Sequence, residues 1–142
     1  MYQKIIIVGN LGGDPEMRYM PDGTAVTNFS IASNRRWTDG ATGQPRDETT
    51  WFRVSVWRKQ AETVNQYLSK GSKVLVEGRL RPDPASGGPR TYTRQDGTVG
   101  ASYEITADTV RFLSSREEDG SYSDDDGDYQ SAPAAEEDDI PF

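Results

Sequence analysis

The stretch TTWFRVSVW at residues 49–57 alternates between apolar and mixed side chains, which is the pattern of a half-buried β-strand. Successive side chains of a strand point to opposite faces. One face is apolar throughout and consists of Phe52, Val54 and Val56. The other face holds two tryptophans around an arginine and a serine, namely Trp51, Arg53, Ser55 and Trp57. The first face is typical of a protein core, whereas burial in a core does not explain the second.

Strand signals also occur on both sides of this stretch. Segments rich in strand-forming residues, separated by turns that contain glycine or proline, are 4–9, 24–36, 73–81 and 102–113. In chain order the stretch at residues 49–57 is the third strand. After it, apolar residues recur at helical spacing at Ala61, Val64 and Leu68. They predict one helix over residues 60–70, followed by Gly71, where a left-handed backbone is favoured. The predicted order is βββαββ.

Short antiparallel strands with one helix between the third and the fourth are typical of a small closed barrel of the five-stranded Greek-key type, the OB-fold. An open α+β sandwich is the alternative. Closure is favoured because the apolar run Ile5–Val8 would otherwise form an exposed sheet edge, which invites aggregation unless a barrel or a subunit contact covers it. The sequence therefore predicts a mainly β domain over residues 1–113.

Charge is unevenly distributed along the 142 residues. Residues 1–113 carry 15 basic and 12 acidic side chains, whereas residues 114–142 carry 1 basic and 11 acidic side chains. The second segment is polar and of low complexity, so it cannot bury a core. We expect a disordered acidic linker over residues 114–137.

The last five residues break the pattern of that linker. They combine two carboxylates with two large apolar side chains, in the order Asp138, Asp139, Ile140, Pro141 and Phe142. A tail that only solubilises the protein does not need these apolar residues. We refer to residues 138–142 as the tip.

The composition excludes several classes of chemistry. The chain has no Cys and no His, so disulfides, cysteine nucleophiles, the usual zinc sites and a Ser-His-Asp triad are impossible. The glycine-rich stretch 9–13 is neither a dinucleotide fingerprint nor a P-loop. Asp14 and Glu16 lie close to Arg18, which favours local ion pairing over acid–base chemistry. We therefore expect no catalytic residue, no metal and no cofactor.

The apolar run at residues 5–8 is also too short for a signal sequence or a membrane span. We expect a cytoplasmic protein without membrane contact.

The mixed face of the third strand predicts a binding surface. Trp51 and Trp57 flank Arg53, and single-stranded nucleic acid needs this combination, because every base has a π-face and every nucleotide carries a phosphate. Trp37 beside Arg35 extends the pattern. Strict alternation would turn Trp37 toward the core, so a bulge or a position beyond the strand end must turn it outward. The alternative is that the tryptophans pack under a loop or at a subunit interface.

Three other functions are compatible with parts of this pattern. An RNA-binding OB module of the cold-shock type would share the aromatics but has no reason to carry the tip at residues 138–142. A pure interaction hub would need the tip but not Arg53 between two outward tryptophans. An enzyme would need a convergent set of reactive side chains, and the sequence offers none.

Five segments occur in a characteristic order along the chain. They are VGNLGGDPEMRY (8–19), TWFRV (50–54), YLSKG (67–71), VEG (76–78) and DDIPF (138–142). In this combination they resemble the bacterial single-stranded DNA-binding protein family, and the resemblance covers essentially the whole chain. It implies an OB-fold that assembles as a homotetramer and wraps single-stranded DNA with little sequence preference. It further implies that the tip recruits replication, recombination and repair proteins, and that the protein is associated with the nucleoid.

The resemblance also implies roles for individual residues. Base stacking is assigned to four aromatic residues, Trp37, Trp51, Trp57 and Tyr92, the last in a hairpin with a proline-rich insertion at residues 84–89. Phosphate contacts are assigned to Arg53, Lys59, Lys70 and Arg81, to which the pattern of the residues themselves adds Arg35 beside Trp37.

Overall fold

The computed structural model describes residues 1–114, and this part of the chain forms seven strands and one helix. The strands are β1 (Ile5–Leu11), β2 (Glu16–Tyr19), β3 (Ala25–Thr38), β4 (Pro45–Trp57), β5 (Lys73–Leu80), β6 (Arg90–Thr93) and β7 (Val99–Phe112). The helix α1 (Lys59–Tyr67) lies between β4 and β5. Within residues 1–114, no helix has the length and apolar character needed to cross a membrane.

The five longer strands close into a barrel. β1 pairs with β5, β5 with β7, β7 with β4 and β4 with β3, and β3 returns to β1. That last contact is short, since it consists of the pairs Asn10–Ala32 and Leu11–Ile31. β2 and β6 lie outside the closed ring as partners of β3 and β7. The predicted mainly β, five-stranded barrel with one short helix is confirmed, and the open sandwich is wrong.

The apolar face of β4 lies in the barrel core, as its alternation predicts. Val54 and Val56 are fully buried and belong to one apolar cluster with Ile31 and Ile105 of the neighbouring strands. α1 adds Val64 to the same cluster. Each buried side chain of this size contributes roughly 1.5–3 kcal/mol to folding.

Three features differ from the sequence prediction. The strands β2 and β6 were not predicted, because four residues are too few for a periodic signal. β4 and β7 pair in parallel, whereas only antiparallel strands were expected. The chain passes through α1 and β5 between them, and β7 is antiparallel to β5. α1 ends at Tyr67, because Leu68 has an extended backbone that buries its side chain. Gly71 has the expected positive φ of 89°, but in the turn after the helix.

β3 and β4 continue beyond the barrel as a two-stranded arm. Their register is unbroken from the pair Val26–Trp57 to the pair Thr38–Pro45. β4 therefore begins at Pro45 rather than at residue 49, and β3 continues to Thr38 rather than ending at residue 36. Residues 34–38 and 45–49 of the arm are exposed, because no core lies beneath them.

Candidate nucleic-acid interface

Trp51 stands on the outer face of β4, opposite Ala32 of β3. Its side chain is 54% exposed. The indole ring lies directly over Gly12: a Cβ built on that glycine would overlap the ring atom Cζ3 and lie 2.8 Å from Cη2. Because Gly12 has no side chain, the ring of Trp51 fits over it, and about half of Trp51 remains exposed to solvent.

Tyr92 of β6 has a similar support. It lies opposite Gly100 of β7, and a Cβ on Gly100 would lie 2.6 Å from the ring atom Cζ. The guanidinium carbon of Arg94 lies 5.5 Å from the ring centroid, within the range of a cation–π contact. Arg94 Nη1 also donates to Thr98 Oγ1 at 3.3 Å. Tyr92 is 49% exposed, so the ring is both oriented and accessible.

A cavity of about 450 Å³ adjoins both rings. Its walls include Trp51 and Tyr92 together with Arg53 and Arg90. Flat aromatic faces and guanidinium groups in one cavity can hold a base by stacking and a phosphate by charge-assisted hydrogen bonds.

A second cavity, of about 470 Å³, continues from the first, because the side chains of Arg53 and Arg90 line both. Four arginines of separate segments meet there: Arg18, Arg53, Arg81 and Arg90. Two carboxylates, Glu16 and Glu104, also line it, which leaves an excess of positive charge. Within residues 1–114, only Arg90 of these arginines forms an ion pair, with its Nε 3.3 Å from Glu104 Oε2. That Nε is buried and makes no hydrogen bond there, so it retains its capacity to donate.

The predicted ion pairing of Arg18 with its acidic neighbours is wrong. Arg18 lies in β2, whose extended backbone directs it to the cavity just described. Asp14 instead accepts a hydrogen bond from the backbone N–H of Lys70 at 2.8 Å. This contact places the turn that contains Lys70 beside a third cavity, of about 420 Å³, which Asp14 lines with Trp51 and Arg53.

Trp57 ends β4 and is half-buried. It lines a separate cavity of about 630 Å³ with Arg58, Arg79 and Asp22, so the structure does not bring it to the same cavity as Trp51. Hydrogen bonds from Thr24 hold the pKa of the Asp22 carboxyl below its usual value, so this carboxyl is ionised at neutral pH.

Trp37 lies on the arm, on the face opposite to that of Trp51. It is 39% exposed, and the guanidinium carbon of Arg35 lies 4.9 Å from its ring centroid. Arg35 Nη1 is also 3.5 Å from Glu48 Oε1. Both predicted explanations, a bulge and a position beyond the strand end, are wrong, because the β3–β4 register has no break and β3 continues to Thr38. Trp37 is exposed because the arm leaves the barrel, although it shares a face with the core residue Ile31.

The other predicted residues have different positions. Lys59 is the exposed first residue of α1, and Lys70 follows the helix, so neither lines the cavities that contain Arg53 and Arg81. Ser55 lies on the outer face of β4, as alternation predicts, and lines the cavity that contains Arg53, but it is buried there and its Oγ donates to Asn28 Oδ1 at 2.7 Å.

Sequence reasoning did not assign Gly12, Gly100 or Arg18 to this surface. Counting outward from a two-residue turn at residues 96–97 would pair Tyr92 with Ala101, whereas the hairpin has a three-residue loop, 95–97, which places Gly100 opposite Tyr92. No local signal places Gly12 under Trp51, since the two residues meet only in the folded barrel.

The Single-strand binding protein family matches residues 2–113. The chain belongs to this family. Curated relatives include the single-stranded DNA-binding proteins of Neisseria meningitidis serogroup A / serotype 4A and of serogroup B, each 42% identical over 115 residues. The match covers 81% of this chain and 62% of each relative, so the chain spans less than two thirds of their length.

A solved structure described as "Plasmodium falciparum SSB complex with ssDNA" has the same fold. It aligns with a TM-score of 0.66 at 26% identity, over 80% of this chain and 97% of that chain. The family assignment confirms the resemblance seen in the sequence. It also confirms that the chain is not an enzyme, because the family is a non-catalytic one. The linker at residues 114–137 and the tip at residues 138–142 lie outside the described residues.

Proposed function

We propose that this protein binds and protects single-stranded DNA with little sequence preference. The observation that carries the proposal is the cavity shared by the exposed rings of Trp51 and Tyr92 and the guanidinium groups of Arg53 and Arg90. A duplex hides the faces of its bases, whereas a single strand can unstack them onto aromatic side chains. Stacking recognises the π-face that all bases share, which explains the low sequence preference. Family membership and the structural relative that was solved with single-stranded DNA support this function.

In this proposal the arginines neutralise the phosphates of the bound strand. Arg53 and Arg81 lie in the cavity with the excess of positive charge. Lys59, Lys70 and Arg35 would contact the strand farther along, as would Trp37 and Trp57, which lie at opposite ends of the β3–β4 hairpin. Neutralised phosphates release counterions, so the affinity falls as salt rises.

The function can be tested by titrating the full chain with a homopolymeric single strand and, separately, with its duplex, while tryptophan fluorescence is recorded. We expect strong quenching by the single strand and little by the duplex, because only unpaired bases can stack on Trp51. Equal quenching by both would contradict selective binding of single strands. If neither quenches, the tryptophans are packing residues and the proposed function fails.

We further propose that residues 138–142 recruit replication, recombination and repair proteins. Asp138 and Asp139 suit a basic rim, and Phe142 suits an apolar pocket. Removing residues 138–142 should abolish capture of such partners and leave the fluorescence titration unchanged. Phe142→Ala should lose most of the same capture. Undiminished capture by the shortened chain would contradict the role of the tip.

A homotetramer is the proposed assembly. Ile6 and Val8 on β1 are 58% and 42% exposed. β5 pairs with one edge of β1, and within residues 1–114 the other edge has no strand partner at Ile5–Val8. An apolar edge of this kind invites aggregation unless it is covered, and a second subunit would cover it. The molar mass in solution, measured by light scattering, should equal four chains, and the mass of one chain would contradict the proposal. We expect the assembly in the cytoplasm, associated with the nucleoid, where single-stranded DNA arises.

A further inference from the structure

Arg58 occupies a backbone position that favours glycine. Its φ is 64° and its ψ is −138°, a combination that crowds the Cβ of any other residue. Within residues 1–114, every other residue with a positive φ is a glycine: Gly23, Gly43, Gly71, Gly87 and Gly97. Glycine at position 58 would therefore relieve strain, so the reason for the arginine lies in its side chain.

The local structure does not use that side chain. The backbone N–H of Arg58 donates to the Ala25 carbonyl at 2.8 Å, and its own carbonyl accepts from the N–H of Ala61 at 3.0 Å. Glycine would make both hydrogen bonds equally well. The guanidinium forms no ion pair with any residue in the described range 1–114, and no side-chain hydrogen bond from position 58 caps α1.

The surroundings of Arg58 suit a nucleotide. It lines the cavity of about 630 Å³ that also contains the half-buried ring of Trp57 and the guanidinium of Arg79. Arg79 lies 3.8 Å from Asp108, and Asp22 adds one carboxylate to the cavity wall. Arg58 forms no ion pair within the described residues 1–114, although it lines the cavity with the Asp22 carboxylate and the two groups attract each other weakly. An aromatic face beside such a cation is what a base with its phosphate requires.

The resemblance already implies base stacking on Trp57, and we infer that Arg58, beside Arg79, binds a phosphate of the nucleotide that stacks there, at the C-terminal end of β4. Trp51 and Trp57 are six positions apart on this extended strand, or about 20 Å. One continuous single strand of several nucleotides can engage both tryptophans. The inference rests on the proposed function, because it extends the path of the same strand.

The test compares the full chain with Arg58→Gly and Arg58→Lys. The probe is a labelled oligo-dT of about 16 nucleotides, the upper end of what one OB-fold covers. For Arg58→Gly we expect an unfolding temperature equal to or above that of the parent, because strain is removed. We also expect affinity at low salt to fall by about tenfold or more, since a hydrogen bond between charged groups is lost. The slope of log K against log salt should become shallower by about 0.7 for each subunit engaged. Arg58→Lys should keep the parental slope.

Three results would overturn the inference. An Arg58→Gly chain with parental affinity and slope would show that Arg58 does not touch phosphate. Equal losses in Arg58→Gly and Arg58→Lys would show that charge is not the cause. A marked drop in the unfolding temperature of Arg58→Gly would show that the arginine stabilises the fold instead. The fluorescence titration of the parent decides separately whether the protein binds single strands. Failure of the proposed function can therefore be distinguished from failure of the inference about Arg58.

Discussion

Trp51→Ala is expected to weaken binding of single-stranded DNA by about 1 to 3 kcal/mol, the contribution of one base stacked on an aromatic side chain. The free energy of unfolding should change little, because the ring is 54% exposed and lies outside the core cluster. Fluorescence anisotropy of a labelled single strand measures the affinity without relying on the missing tryptophan. Trp51→Phe should retain part of the binding, since it keeps a smaller stacking face. If Trp51→Ala binds the single strand with parental affinity, Trp51 does not contribute to the DNA interface.

Gly12→Ala provides an independent test of the same ring. The added methyl group would overlap the far end of the Trp51 indole, which can move at low cost because it is a side-chain tip. We therefore expect weaker binding at nearly unchanged stability. Gly13→Ala is the matched control, since a Cβ there meets nothing within 4 Å.

A double-mutant cycle decides whether Gly12 acts through Trp51. In a Trp51→Ala background, Gly12→Ala should have no further effect on affinity, because there is no ring left to displace. Additive losses would show that Gly12 affects binding by another route, such as the shape of the β1–β2 connection.

Gly9→Ala is expected to lower the free energy of unfolding by about 3 kcal/mol, the upper end of the cost of overpacking. A Cβ on Gly9 would overlap the carbonyl oxygen of Ala32 and lie 2.5 Å from Ile31 Cγ2. Unlike the ring over Gly12, the Ala32 carbonyl is backbone and cannot swing away. Ala32 also belongs to one of the two residue pairs that join β1 to β3, so relief of the overlap would open the barrel.

Urea denaturation at one fixed protein concentration measures this loss, since assembly makes the stability depend on concentration. Gly13→Ala again serves as the control and should unfold like the parent. If Gly9→Ala and Gly13→Ala unfold at the same urea concentration, the close approach at Gly9 does not limit stability.

Local patterns were sufficient to predict the type of fold. Alternation along residues 49–57 assigned Val54 and Val56 to the core, because side-chain direction in a strand follows from the backbone alone. The same rule gives the faces of Trp37 and Ser55 correctly but not whether they are buried. Trp37 lies on the core-facing side of β3 but beyond the end of the core, and Ser55 lies on the outer side but is covered. Alternation predicts the face of a residue, whereas burial depends on what packs over that face.

The sequence by itself determined the five strands of the barrel, the helix α1, the apolar face of β4 and the family of this protein, because each depends on residues close together in the chain or on motifs in order. Only the tertiary structure decided which side chains share a cavity. Arg18, Arg53 and Arg90 come from three separate strands, and Gly12 supports a ring 39 positions further along the chain. Closure of the barrel creates these contacts, and no local pattern records them because the residues are neighbours only in space.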